Sequence, residues 1–202
     1  EYPSLMVYRL REVSGLDVRV AEDRIQLMQS MGDIATMSGA VRAWVLDLNK
    51  IANDVRLLAS GPRTGLAEIL LPDLQPGSSI MPGKVNPVIP EVVTQVAAQV
   101  IGNDTAITVA GMQGHFELNV FVPLIARNLL DSIELLAAAS RLFAEKCVDG
   151  IEANREQLER YAELTLSAAT ALNPYIGYDK AAEIVKTAST TGRSLREVAR
   201  EA

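Results

Sequence analysis

Cysteine, histidine and tryptophan each occur once in this chain of 202 residues. With Cys147 alone, no intrachain disulfide can form, and nothing calls for an oxidising compartment. With His115 as the one imidazole, a zinc site built from the usual His and Cys ligands is not expected, nor any other metal site. Aromatic residues are scarce at 4%, although 49% of the chain is apolar. Small aliphatic side chains must therefore build the core, which suits close helix packing better than a sandwich or barrel. Basic charge is in deficit: 19 Lys and Arg stand against 25 Asp and Glu, for a net charge of −6. Neither a nucleic-acid surface nor a polybasic membrane patch is expected. No segment has the ~20 continuous apolar residues of a membrane span. The opening EYPSLMVYRLREV lacks the basic-then-apolar order of a signal peptide. A cytoplasmic location is expected. No Gly-rich phosphate cradle is present, and no cofactor is expected.

The first residue is not Met, and the chain opens inside what reads as a helix, so part of a longer protein is expected. Apolar residues at Leu5, Met6, Leu10 and Val13 predict a helix that stops at Gly15. Helical spacing resumes over 23–59, where Met28, Met31 and Met37 read as core filler. SGPRTG and LPDLQPG mark loops. Asn86 before Pro87 reads as an N-cap with proline in the first helical position, opening a helix to about Val109. Within it, Asn103 and Asp104 read as buried polar contacts that need partners. Another helix is expected over 116–144, then shorter ones from Asn154, Asp179 and Ser194, the last with a capping box through Glu197. No strand stands out. The prediction is an all-α fold: a long-helix bundle over residues 1–148 and a small C-terminal helical domain over 149–202. The low-charge stretch VVTQVAAQVIGNDTAITVAG should be surrounded by helices, and oligomerisation would supply them.

The chemistry concentrates in PGSSIMPGKVNPVIPE, residues 76–91. A Gly, Ser and Pro cluster between helices is ordinarily just a connector. This one also offers two hydroxyls, Ser78 and Ser79, on a glycine-flanked turn. A serine is a poor base unless backbone N–H groups and positive charge stabilise its oxyanion. The turn and Lys84 could supply both. Asn86 adds an amide donor suited to a substrate carboxylate. Gly77 and Gly83 would let the segment move as a lid. Glu91, one turn into the next helix, could orient a histidine contributed from elsewhere.

GSSIMPGKVNP followed by Glu91 resembles the signature of the fumarase/aspartase superfamily. KIANDVRLLASGPR at 50–63, QVIGNDTAIT at 99–108, FELNVFVP at 116–123 and LNPYIGYDKAAEI at 172–184 are also similar to it. The resemblance implies that Ser78 is the catalytic base and that Lys84 and Asn86 bind a substrate carboxylate. It implies that Glu91 pairs with an active-site histidine, and that Ser79, Ile80 and Met81 belong to a mobile loop within residues 76–87. It further implies a helical bundle assembled as a homotetramer, with each active site shared by three subunits. The substrate would be a small dicarboxylate of succinate type, converted to fumarate by anti-elimination.

The family's N-terminal half, with a Thr/Ser/Asn-rich segment and a Thr-His segment, is not found in this sequence. His115 does not match the family's active-site histidine, and a surface or cap role is expected for it. The chain alone should therefore be inactive. VNPVIPEVVTQV, GPRTGLAEI, LPDLQ and AEDRI are closer to aspartases, whereas KIANDVR, GHFELNVF and ALNPYIGYDKAAEI are closer to fumarases. Weighed together they favour ammonia from aspartate, with water from malate second. An alternative of another class is a non-catalytic helical assembly module.

Overall fold

Aliphatic residues three and four apart on long helices dictate the architecture of this chain. The structure is a computed structural model and describes residues 2–75 and 77–202. In order, it contains α1 (Tyr2–Ser14), α2 (Arg24–Gln29), α3 (Gly32–Leu58), β1 (Ile69–Leu70), α4 (Val88–Gly111), α5 (Val122–Lys146), β2 (Glu152–Ala153), α6 (Arg155–Leu164), α7 (Asn173–Ile176), α8 (Tyr178–Thr191) and α9 (Leu195–Glu201). Short 3₁₀ turns cover Val148–Gly150 and Leu166–Leu172. The fold is helical, as expected. None of the helices among the described residues is long and apolar enough to cross a membrane.

The chain divides into two compact units, residues 1–51 with 92–141 and residues 52–91 with 142–202. In the first, Met31, Ile107, Ala110 and Ile125 form one buried cluster. Val45, Ala97, Val100 and Leu136 form another. Between them along α4 lies a polar layer. The Ser38 hydroxyl donates to Asp104 Oδ1 at 2.6 Å, and Arg42 Nε approaches Asp104 Oδ2 at 3.3 Å. Asn103 Nδ2 donates to Ser132 Oγ at 3.0 Å, while Asn103 Oδ1 accepts from Gln99 Nε2 at 2.8 Å. Asn103 and Asp104 are thus buried and partnered, as their low-charge setting demanded.

Asn119 is the other organiser of this unit. Its backbone N–H donates to Met28 O at 2.9 Å, and its side chain donates to Ala110 O and accepts from Phe121 N. This explains two departures from expectation. The run over 23–59 is two helices, because the Met28 carbonyl is taken by Asn119 and Ser30 turns to extended backbone. The helix expected from 116 starts at Val122. Gly114 and Phe116 both take positive φ, and His115 bridges Leu118 through the backbone. His115 is exposed. Pro123 lies in the first turn of α5, where its missing N–H costs nothing. Met31 is core filler, but Met28 and Met37 are about half exposed in this chain.

In the second unit, Ile184, Ala188 and Val198 pack with Leu166, Leu172 and Ile176. The expected capping box is present: Ser194 Oγ accepts from Glu197 N, and the Glu197 carboxylate accepts from Ser194 N. A two-stranded sheet, not expected from the sequence, pairs Ile69 with Ala153 and Leu70 with Glu152, antiparallel. Asn154, the N-cap of α6, secures it by donating to Ala67 O at 2.8 Å, and Gln157 donates to Leu66 O at 3.0 Å. Residues 66–70 are thereby anchored just before the chain enters the special loop.

Cys147 is buried, and burial pushes its thiol up from the ordinary value. The neutral thiol is a weak nucleophile. Iodoacetamide at neutral pH should label Cys147 at under about a tenth of the rate of an unfolded cysteine, with the difference abolished in denaturant; equal rates would contradict the buried placement. Replacing Asn103 with Ala should cost about 1–3 kcal/mol in urea unfolding, because Ser132 and Gln99 lose their buried partner. Thr105→Ala, which removes only an exposed hydroxyl bonded to its own helix, should stay within about 0.5 kcal/mol.

Candidate functional site

Residues 77–91 leave Gly77, turn back on themselves and enter α4. Two contacts close the neck of the loop. Gly77 N donates to Lys84 O at 3.0 Å, and Asn86 Nδ2 donates to Gly77 O at 3.2 Å. A methyl group at position 77 would overlap the Lys84 carbonyl and sit 3.0 Å from Asn86 N. Glycine is required here by close approach. At the tip, Lys84 N donates to Met81 O at 3.3 Å across Pro82 and Gly83, and Gly83 has φ +77°. Proline second and a positive-φ glycine third are what a type II turn requires.

Inside that closed loop, Ser78 Oγ accepts from two backbone donors, Ile80 N at 3.1 Å and Met81 N at 3.0 Å. The hydroxyl is half-buried, whereas Ser79 is exposed. The geometry separates two serines that the sequence left equivalent on chemical grounds. Ile80 is 87% exposed, and Met81, Gly83 and Lys84 are also exposed. Pro76, the first residue of the expected loop, lies outside the described residues.

Asn86 does not cap α4. Its side chain is turned to the Gly77 carbonyl, and the helix begins at Val88, with Pro87 O accepting from Glu91 N. The N-cap expectation fails because the helix starts at Val88, one residue too late for Asn86 to be its cap, and the Asn86 side chain is turned to the Gly77 carbonyl instead. One N–H of that amide is committed to the neck, and the group has two. Pro90, in the first turn of α4, gives up no helical hydrogen bond. The strip that carries Asn86 into α4 also lines a cavity of about 190 Å³, together with Gly61, Pro62, Leu71, Pro72 and Cys147.

Glu91 lies in the first turn of α4, where the helix N-terminus favours a carboxylate. Facing it is Arg56, in the last turn of α3, where a cation is favoured. Arg56 Nη2 lies 3.9 Å from Glu91 Oε1, with side chains 39% and 36% exposed. A pair so exposed contributes only about 0–1 kcal/mol to stability, so its consequence is orientation. The sequence reading missed Arg56. The available signal was a cation closing one helix just before the loop, opposite an acid opening the next. It also missed the two N–H donors to Ser78, which depend on the path of the backbone. Among the described residues no cluster of three or more His, Cys, Asp or Glu is placed to hold a metal.

Comparison with known proteins accords with these features. Residues 1–102 match the family described as Lyase, and residues 169–202 match the one described as Fumarase C C-terminus. The chain is 54% identical over 181 residues to a fumarate hydratase class II of Mycobacterium tuberculosis, covering 90% of this chain and 38% of that protein. Relatives from Corynebacterium glutamicum and Brucella suis carry the same name. It is 50% identical over 200 residues to an aspartate ammonia-lyase of Pseudomonas aeruginosa, covering 99% and 42%. A solved fumarate lyase:delta crystallin from Brucella melitensis superposes with a TM-score of 0.90 at 50% identity, over 98% of this chain and 46% of that one. The chain thus spans about two-fifths of the length of the curated relatives it matches. It belongs to the fumarase/aspartase superfamily of lyases.

Proposed function

We propose that this chain carries the catalytic loop of an enzyme that forms fumarate reversibly by anti-elimination from a small dicarboxylate. Residues 1–148 belong to its central bundle and 149–202 to a small C-terminal domain. The observation that carries the proposal is the pair of backbone N–H groups on Ser78 Oγ. Donors aimed at an oxygen favour its anionic form, and the alkoxide is the form that can take a proton from carbon.

In this scheme the Ser78 oxygen removes the proton from Cβ. The electron pair of the broken C–H bond moves into the adjacent carboxylate as an aci-carboxylate. Re-forming the carboxylate makes the double bond and expels the leaving group from Cα: an ammonium leaves directly as ammonia, whereas a hydroxyl leaves as water after taking one proton from a general acid contributed by the rest of the assembly. The Lys84 ammonium and the second N–H of Asn86 hold the doubly charged acid group. Ser79, Ile80 and Met81 close over the substrate, and the exclusion of water strengthens each contact. Glu91 pairs with a histidine from another part of the assembly. Long apolar side chains exposed on the helices, Trp44 at 62% among them, support assembly with further copies; the assembly in this reading is a cytoplasmic homotetramer whose sites draw on three subunits.

The leaving group is water or ammonia. The sequence details lean to ammonia from aspartate. The recurrence of fumarate hydratase class II among relatives of about 50% identity supports water from malate, and we place malate first. Initial rates of fumarate release from L-malate and L-aspartate by the full-length protein should differ by at least about 100-fold in favour of malate; the reverse ratio assigns it to aspartate.

Ser78→Ala in the full-length protein should lower kcat by about 10²–10⁴-fold, the range for a lost general base, while the oligomer stays intact. Turnover near the wild-type rate would remove Ser78 from the role. Gly77→Ala should lower kcat through the loop neck with little change in thermal midpoint, since it displaces only the Lys84 carbonyl and the Asn86 amide. An unchanged kcat would show that the closed neck is not needed for turnover.

A further inference from the structure

We infer that Arg56 is the positioning residue for Glu91: it holds one carboxylate oxygen so that the group faces its histidine partner in a fixed orientation. The inference rests on the assignment of Glu91 proposed above, and deepens it. Arg56 Nη2 is 3.9 Å from Glu91 Oε1. The other terminal nitrogen, Nη1, is 3.5 Å from Asn53 Oδ1, one turn earlier on α3. A guanidinium presents its donors in a rigid planar fork, so the Asn53 contact sets the direction from which its charge faces Glu91. Buried Ala52 and Val55 anchor this last part of α3 in its own compact unit, and Glu91 belongs to the same unit. The pair also joins the carbonyl end of one helix to the amide end of the next, so both helix dipoles favour the charges present.

The sequence spacing has a purpose on this view. Between Arg56 and Glu91 the chain makes the turn after α3, the short strand and the whole loop. The ion pair therefore spans the two helical ends that flank the loop. A carboxylate that must orient an imidazole has to resist rotation about its own side-chain bonds, and a cation facing one of its oxygens favours one orientation of a half-exposed glutamate. Lysine offers the same charge from a single flexible point and should replace Arg56 only in part.

The test is a double-mutant cycle in the full-length enzyme, restricted to variants that assemble as the wild type does. Arg56→Gln is expected to lower kcat about 10-fold to 100-fold while KM changes less than about threefold. Arg56→Lys should recover most of the loss. Glu91→Gln should lower kcat about 100-fold, and the double variant Arg56→Gln/Glu91→Gln should be no slower than Glu91→Gln alone, since a residue acting only through Glu91 has nothing left to act on. If Arg56→Gln does not assemble, the same cycle run with Arg56→Met, which keeps the apolar stem and removes the charge, must likewise be non-additive. Losses that multiply in the double variant, or wild-type kcat in Arg56→Gln, overturn the role of Arg56 and leave Glu91 untouched. Wild-type kcat in Glu91→Gln instead overturns the assignment of Glu91, and the role of Arg56 with it.

Discussion

Two amide N–H groups aimed at one serine oxygen are the constraint on which the rest of this structure bears. A serine hydroxyl in water is a very weak base, and no distant feature of a fold changes that. Groups close to the oxygen can, and in the proposed role the backbone donors of Ile80 and Met81 are the ones in direct contact. Because they belong to the main chain, their direction is set by the conformation of the loop. That conformation depends on a glycine packed against the Lys84 carbonyl, an amide on the Gly77 carbonyl, and a Pro-Gly turn at the tip. Each sequence oddity in residues 77–86 therefore has a geometric reason that ends at Ser78 Oγ.

The scaffold around the loop is built to hold its two ends. On the entering side, Asn154 and Gln157 donate to the backbone of residues 66–67, and a two-residue ladder pins residues 69–70. On the leaving side, the chain runs directly into α4, with Glu91 in its first turn facing Arg56. Between those anchors the loop has few ties beyond its own hydrogen bonds and an exposed surface at Ile80 and Met81. That combination, held ends and a lightly held middle, suits the closing and reopening proposed for this segment.

The helical character was legible because it is written in local spacing: Val41, Val45 and Leu48 on α3, and Ala97, Val100, Asn103, Ile107 and Ala110 on α4, repeat every three or four residues. The Ser194–Glu197 capping box was legible for the same reason. What escaped depends on residues far apart in sequence. The break at Ser30 follows from Asn119 claiming the Met28 carbonyl, and the late start of α5 follows from the same asparagine. The Asn86 cap failed because the helix starts only at Val88, while the Asn86 side chain turns to donate to Gly77, nine residues back. In the site, the ordered string could be read as a family resemblance, but the two N–H donors that set Ser78 apart from Ser79, and the approach of Arg56 to Glu91, needed three dimensions.

A crystal structure of the full-length protein with a dicarboxylate substrate analogue bound would test the central claim most directly. The account predicts Ser78 Oγ within about 3.5 Å of the carbon that loses its proton, near-attack distance, with both Ile80 N and Met81 N still donating to that oxygen. An analogue held with Ser78 turned away, and another residue's basic atom against that carbon, would contradict it.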